Sequence, residues 1–145
     1  MNIVYQLIFS FFATMGFVIY FSAPINSVFA TGITGGLSWI ILYICIYRFN
    51  SKIIGTFLGA LLVGVLGEYF AIKLKKPATV FITPGLVALV PGAGMYYTMS
   101  YLVQRDFEKA AISGTETLFM AAAIAIGIIV SSLFSQSLKR FMGIR

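Results

Sequence analysis

Apolar stretches separated by short polar breaks run the length of this chain, at about 3–21, 28–47, 53–72, 79–103 and 117–138. Each approaches or exceeds the roughly 20 residues that carry a helix across about 30 Å of hydrocarbon at 1.5 Å per residue. Between Met1 and Tyr47 there is no charged side chain, a run too long for one span and sufficient for two. Pro24, Asn26 and Ser27 mark the break between them. In the second stretch, Thr31, Gly32, Thr34, Gly35 and Gly36 leave three outcomes open: unwinding, lying in the interface, or spanning. The pattern therefore predicts one all-α, polytopic membrane domain over 1–145 with about five transmembrane helices. Four spans with a re-entrant piece is the alternative.

The fourth stretch cannot be one plain helix. Residues 84–97, PGLVALVPGAGMYY, sit inside an uncharged run from Pro77 to Gln104 whose middle falls near Pro91. A proline in a helix interior lacks its own N–H and strips the carbonyl four residues back, at about 3 kcal/mol. Pro91 would free Val87 in this way, and Pro84 would free Val80. In hydrocarbon such groups must find partners, so irregular backbone persists only inside protein or beside a wet cavity, as at the midplane sites of transporters. A kinked packing helix is the simpler outcome, but the local chemistry favours a break. With Pro91 at the first position of a new half-helix, Val90 becomes an N-cap without a side-chain acceptor. The N–H groups of Gly92 and Ala93 would then be orphans at a positive dipole end, open to a carboxylate because Gly92 and Gly94 carry no side chain.

Composition fixes the class and removes several functions. Sixty per cent of residues are hydrophobic, 16% are aromatic, and mean hydropathy is +0.99, values that place the chain in a membrane. A secretory signal is not expected, since a basic n-region is missing and further spans follow. Cys45 lies in an apolar run and reads as packing; histidine is absent, and the acidic residues are Glu68, Asp106, Glu108 and Glu116. No metal cluster, cofactor or grouping of nucleophile, base and orienter is available, so an enzyme is not expected. The net charge of +6 comes from short basic patches between spans, which argues for topology and against nucleic acid. Lys73, Lys75 and Lys76 fall on one side with Lys139, Arg140 and Arg145; Arg48, Lys52, Arg105 and Lys109 fall on the other. The positive-inside rule then predicts a cytoplasmic C-terminus and an external N-terminus.

Small residues at four-residue steps, Gly55/Gly59, Ala60/Gly64 and Gly67 in one stretch and Ala123/Gly127/Ser131/Ser135 in another, read as helix-packing faces. Trp39, Tyr43 and Tyr47 form a further stripe; Tyr47 reads as an interfacial anchor, and Trp39 faces either lipid or a cavity. Glu68 is an acidic residue within a span, with proton coupling and an interfacial contact to Lys75 as its two readings, the second favoured. Ser113 to Glu116 matches the S-x-x-E capping box, predicting a helix start there and a solvated loop at Asp106, Glu108 and Lys109. Tyr96 and Tyr97 follow the break closely enough to present hydroxyls to a cavity, with Tyr101 nearer the interface.

From about residue 50 to 103 the chain resembles the second membrane domain of the threonine/serine exporter family, including the split form in which a small subunit works with a larger one. The resemblance rests on FLGALLVGVLGEYFA, the Lys75–Lys76–Pro77 turn, TVFITPGLVALVPG, and Tyr96 beyond it. Members often carry another proline three residues before the VPG proline; here the position is Ala88. The resemblance implies export of small carboxylated metabolites, amino acids such as threonine and serine or a dicarboxylate such as succinate, across a prokaryotic inner or plasma membrane. It also implies a second polytopic subunit as partner. Pro84, Gly85, Pro91 and Gly92 would shape the broken helix, the Gly92 and Ala93 N–H groups would receive a substrate carboxylate, and Tyr96 would contact or gate it. The rival is a non-transporting membrane subunit that assembles or stabilises a partner through its small-residue faces.

Overall fold

The computed structural model describes residues 2–141. Its elements are α1 (Ile3–Tyr20), α2 (Ile25–Phe49), α3 (Lys52–Leu74), α4 (Thr79–Leu86), a 3-10 turn (Val87–Leu89), α5 (Gly92–Val103) and α6 (Phe107–Phe141). Four of these helices are long and apolar enough to cross a membrane alone, and the pair 79–89 and 92–103, bent by 51°, brings the number to five if it is counted as one span and forms a re-entrant loop if it is not. Arg145 and the side chains of Lys139 and Arg140, counted above among the C-terminal positives, lie outside the described residues.

The glycine- and threonine-rich second stretch spans as one uninterrupted helix of 25 residues. Its hydroxyls bond back to the helix: Thr31 Oγ1 donates to the Ser27 carbonyl at 2.9 Å, Thr34 Oγ1 to Ala30 at 2.9 Å, and Ser38 Oγ to Gly35 at 2.8 Å. Such back-bonding gives each of these buried hydroxyls an acceptor. Gly32 and Gly35 remain helical because the absent side chains admit α1: a Cβ on Gly32 would lie 2.8 Å from Met15 Cγ, and one on Gly35 would overlap Thr14.

α3 is the hub, and its small residues divide among its neighbours. Gly55 receives Cys45 and Leu42 of α2, Gly59 receives Leu89 of the 3-10 turn, and Gly67 receives Ile82 of α4. Ala60 and Gly64 face α6, where a Cβ on Gly127 would lie 2.9 Å from both Ala60 Cβ and the Phe57 carbonyl oxygen, and Gly64 is filled by Ser131. Both stripes therefore pack as expected. Gly127 sits over Phe57 to Leu61 and Ser131 over Gly64, so α3 and α6 run parallel, and the C-terminal end of α6 shares an end of the bundle with Lys73–Lys76.

The fifth stretch departs from expectation. α6 begins at Phe107, and the S-x-x-E motif is not a cap. Asp106 caps instead: its Oδ1 accepts the Lys109 N–H at 3.2 Å and its Oδ2 accepts from Lys109 Nζ at 2.6 Å. Those hydrogen bonds, the side-chain one foremost, hold the exposed Asp106 carboxyl below the usual carboxylate range. Glu108 and Lys109 consequently lie in the first turn of α6 and not in a loop. Ser113 has become a helix–helix contact, donating to the Gly94 carbonyl at 3.2 Å and accepting from Thr98 Oγ1 at 3.1 Å. Glu116 pairs with Lys52 at 3.0 Å.

At 35 residues α6 is about 52 Å long, well beyond the hydrocarbon thickness. Glu116 meets Lys52, the first residue of α3, and Thr117 packs on Gly94. Most of α5 and the first turns of α6 thus form a hairpin that extends past the start of α3. α5 buries no residue and packs chiefly on α6.

Because the atoms facing Gly127 are largely α3 backbone, Gly127→Leu is expected to destabilise the bundle by roughly 3 kcal/mol, the upper end for overpacking. Gly16, with nothing within 4 Å of a built Cβ, should accept leucine with a change within about 1 kcal/mol. Folded yield and unfolding midpoint of the two variants check this.

Candidate functional site

The break is a short run of irregular backbone. α4 continues through Pro84, tightens into the 3-10 turn, and stops at Val90, whose φ of −61° and ψ of 126° are extended, as the residue before a proline favours. Pro91 follows at φ −79° and ψ 57°, an inverse γ-turn closed by the Gly92 N–H donating to the Val90 carbonyl at 2.8 Å. Pro91 is thus the N-cap of α5 and Gly92 its first residue, one position later than expected. The Gly92 N–H is accordingly not an orphan. The first i to i−4 bond of α5 runs from Met95 to Pro91 at 3.1 Å, so the Ala93 and Gly94 N–H groups precede the intrahelical ladder.

Leucine 89 anchors the break. Its side chain is 1% exposed and fills the notch above Gly59, where a Cβ would lie 3.0 Å from Leu89 Cδ2 and 3.1 Å from the Ser38 carbonyl oxygen. α2, α3 and the 3-10 turn meet at this point. The local reason is the absent side chain at Gly59, which lets a leucine enter where two helix backbones would otherwise close.

The expected site residues divide into two groups. Pro84 and Gly85 are buried in the bundle wall, where a Cβ on Gly85 would lie 3.2 Å from Val63 Cγ1 and 3.5 Å from Thr34 Cγ2. Pro91, Gly92, Ala93 and Tyr96 cluster at the start of α5, with Gly92 and Ala93 exposed and nothing within 4 Å of a Cβ built on Gly92. Pro91 lines a cleft of about 570 Å³ between α5 and α6, walled by Val90, Met95, Thr98, Thr117 and Leu118. Tyr96 is 70% exposed and rests edge-on against Tyr97, with ring centroids 5.6 Å apart. It is Tyr97, together with Tyr101, Lys109 and Glu116, that lines a smaller cavity of about 240 Å³.

Glu68 is half-buried on α3, directly after the Gly67 notch that receives Ile82. Lys73 lies over the Tyr69 ring, 5.9 Å from its centroid. Trp39 turns inward and donates its indole N–H to Gln6 Oε1 at 2.7 Å. Gln6 was not singled out by periodicity, although a lone carboxamide in an otherwise apolar opening stretch was the available signal.

The sequence matches the family described as Threonine/Serine exporter, ThrE, over residues 6–134. It is 23% identical over 118 residues to a probable threonine/serine exporter of Mycobacterium tuberculosis, a match covering 81% of this chain and 22% of that protein. It is 21% identical over 141 residues to an uncharacterized protein of Haemophilus influenzae, covering 92% of this chain and 48% of that protein. The chain thus spans about a fifth of the first relative and about half of the second. No solved structure matches it.

Leu89→Ala is expected to empty the Gly59 notch and loosen the link. In lipid the packing part of a core Leu→Ala cost remains, on the order of 1–3 kcal/mol. A lower unfolding midpoint, with faster thiol labelling of a cysteine placed at Gly92, checks this.

Proposed function

Because the chain belongs to the threonine/serine exporter family, we propose that it is one half of a two-component secondary exporter of small carboxylated metabolites, threonine- or serine-like amino acids or a dicarboxylate such as succinate. The observation that carries this reading is the break between α4 and α5. A bend of 51° at a Pro-Gly pair, with the Ala93 and Gly94 N–H groups ahead of the helical ladder, suits a path element for an anionic group. Gly92 keeps that backbone approachable, Pro91 sets the entry angle, and Tyr96 contacts the solute or a partner from the exposed face. Pro84 and Gly85 act indirectly, by seating α4 against α2 and α3.

A second polytopic subunit is part of the proposal. Its support is an α5 that buries no residue while presenting Met95, Tyr96, Met99 and Val103 outward. The rival reading, a subunit that only assembles a partner through its Gly, Ala and Ser faces, is weakened by where those faces go. Gly55, Gly59, Gly64, Gly67 and Gly127 are all filled from within this chain. The bacterial relatives support a prokaryotic cytoplasmic membrane as the location, and the distribution of Lys and Arg between the apolar stretches supports a cytoplasmic C-terminus. Glu68 is assigned an interfacial role and not proton coupling.

Gly92→Leu is expected to leave folding and assembly with the partner intact while export falls at least tenfold, because the added side chain covers the first-turn N–H groups. Normal export from a well-assembled Gly92→Leu pair would remove the site at the break.

The purified chain alone in liposomes is expected to show no saturable amino-acid or dicarboxylate flux. Robust flux from the single chain would contradict the two-component reading.

A further inference from the structure

α4 is seated by one face only. Phe81 is fully buried and packs with Ala30 of α2 and Ala71 of α3, while Thr79 and Thr83, two residues to either side and so on the opposite face, stay exposed. That opposite face is one wall of a groove of about 320 Å³ whose other wall is the turn between α1 and α2. Phe21, Val80 and Pro84 give the groove apolar surface, and Ser22, Thr79 and Thr83 bring hydroxyls to it. None of these three hydroxyls hydrogen-bonds to a described residue. The buried Thr14, Thr31, Thr34 and Thr56, by contrast, each bond back onto their own helix.

The turn that leads into α4 is basic. Lys75 and Lys76 lie four and three residues before Thr79, and Lys73 lies over the Tyr69 ring in the last turn of α3. Among the described residues the ion pairs are Lys52–Glu116 and Lys109–Asp106, both at the other end of the bundle, so neither neutralises these lysines. Glu68, two turns before Lys75, is half-buried and already engaged. From the turn into α4 the chemistry therefore passes from ammonium through hydroxyl to hydrocarbon: Lys75 and Lys76 first, then Thr79, then Thr83 beside Pro84, roughly 6 Å further along the helix.

A soluble anion would use only the start of that series, and a bare acyl chain only its end. A zwitterionic lipid would set an ammonium of its own against the lysines. We propose that the groove between α4 and the α1–α2 turn binds an anionic phospholipid, the phosphate meeting Lys75 and Lys76, the glycerol esters accepting from the hydroxyls, and one acyl chain lying against Phe21, Val80 and Pro84. The lipid covers the face of α4 that the chain leaves bare, and it does so whether or not the chain exports anything.

The test uses the full chain in mild detergent, exchanged with phosphatidylglycerol or phosphatidylcholine and weighed with its lipids by native mass spectrometry. Phosphatidylglycerol is expected to be retained at concentrations about tenfold below those that phosphatidylcholine requires. Lys75→Gln combined with Lys76→Gln should weaken retention about tenfold. Thr83→Trp, which fills the groove and keeps the lysines, should weaken it to a similar degree with helicity unchanged. Arg48→Gln combined with Arg105→Gln removes the same charge from the other end and should leave retention within about twofold, since a headgroup so far away is screened. Equal retention of the two lipids, equal loss from both charge pairs, or full retention in Thr83→Trp would overturn the site. Displacement of the lipid by millimolar glycerol phosphate would overturn it as well, by showing that a soluble phosphate suffices.

Discussion

Hydrocarbon offers no partner to a stray N–H or C=O, and this requirement shapes the chain more than any side-chain preference does. α2 shows it most directly: its glycines, which in water would weaken a helix, keep to the ladder that satisfies their N–H and C=O groups, and their missing side chains admit α1. The break obeys the same rule. Pro91 deprives the Val87 carbonyl of its helical donor, and the Val90 N–H takes that place at 3.3 Å, while the Val90 carbonyl takes the Gly92 N–H. The chain bends without abandoning many polar groups, and the few donors left ahead of the α5 ladder are confined to one spot.

Packing follows from what is missing at glycine. Lipid supplies no drive for one apolar helix to prefer another, so association depends on close approach and dispersion. α3 receives Leu42, Ile82, Leu89 and Ser131 into places where it has no side chain. One helix thereby holds α2, both parts of the α4 segment and α6 together. The 3-10 turn is held to this hub by Leu89, which is buried at the Gly59 notch.

Much of this was legible beforehand. Lengths of apolar runs located the spans, four-residue steps located the packing faces, and Pro91 with Gly92 located the break, since each signal reflects a local covalent property. The errors have local causes as well. Ser113 to Glu116 has the spacing of a capping box, but Asp106 caps first and the intervening Glu, Lys and Ala residues keep the helix going, so the motif was spent on Thr98, Gly94 and Lys52. Placing Pro91 at the first helical position ignored the alternative of an inverse γ-turn. Gln6 meets Trp39 only through tertiary contact across 33 positions of chain, which no periodicity encodes.

The seating of Leu89 has a mechanical side. With the 3-10 turn pinned at the Gly59 notch and Val90–Pro91 as the soft joint, α5 is a lever arm of about 18 Å. A swing of about ten degrees at the joint carries its far end, near Val103, through roughly 3 Å, close to the size of a van der Waals contact. The hydrogen bonds of Ser113 and Thr98 tie the first turns of α6 to the same arm, so a small torsion beside Ala88 is magnified into a displacement of the whole hairpin.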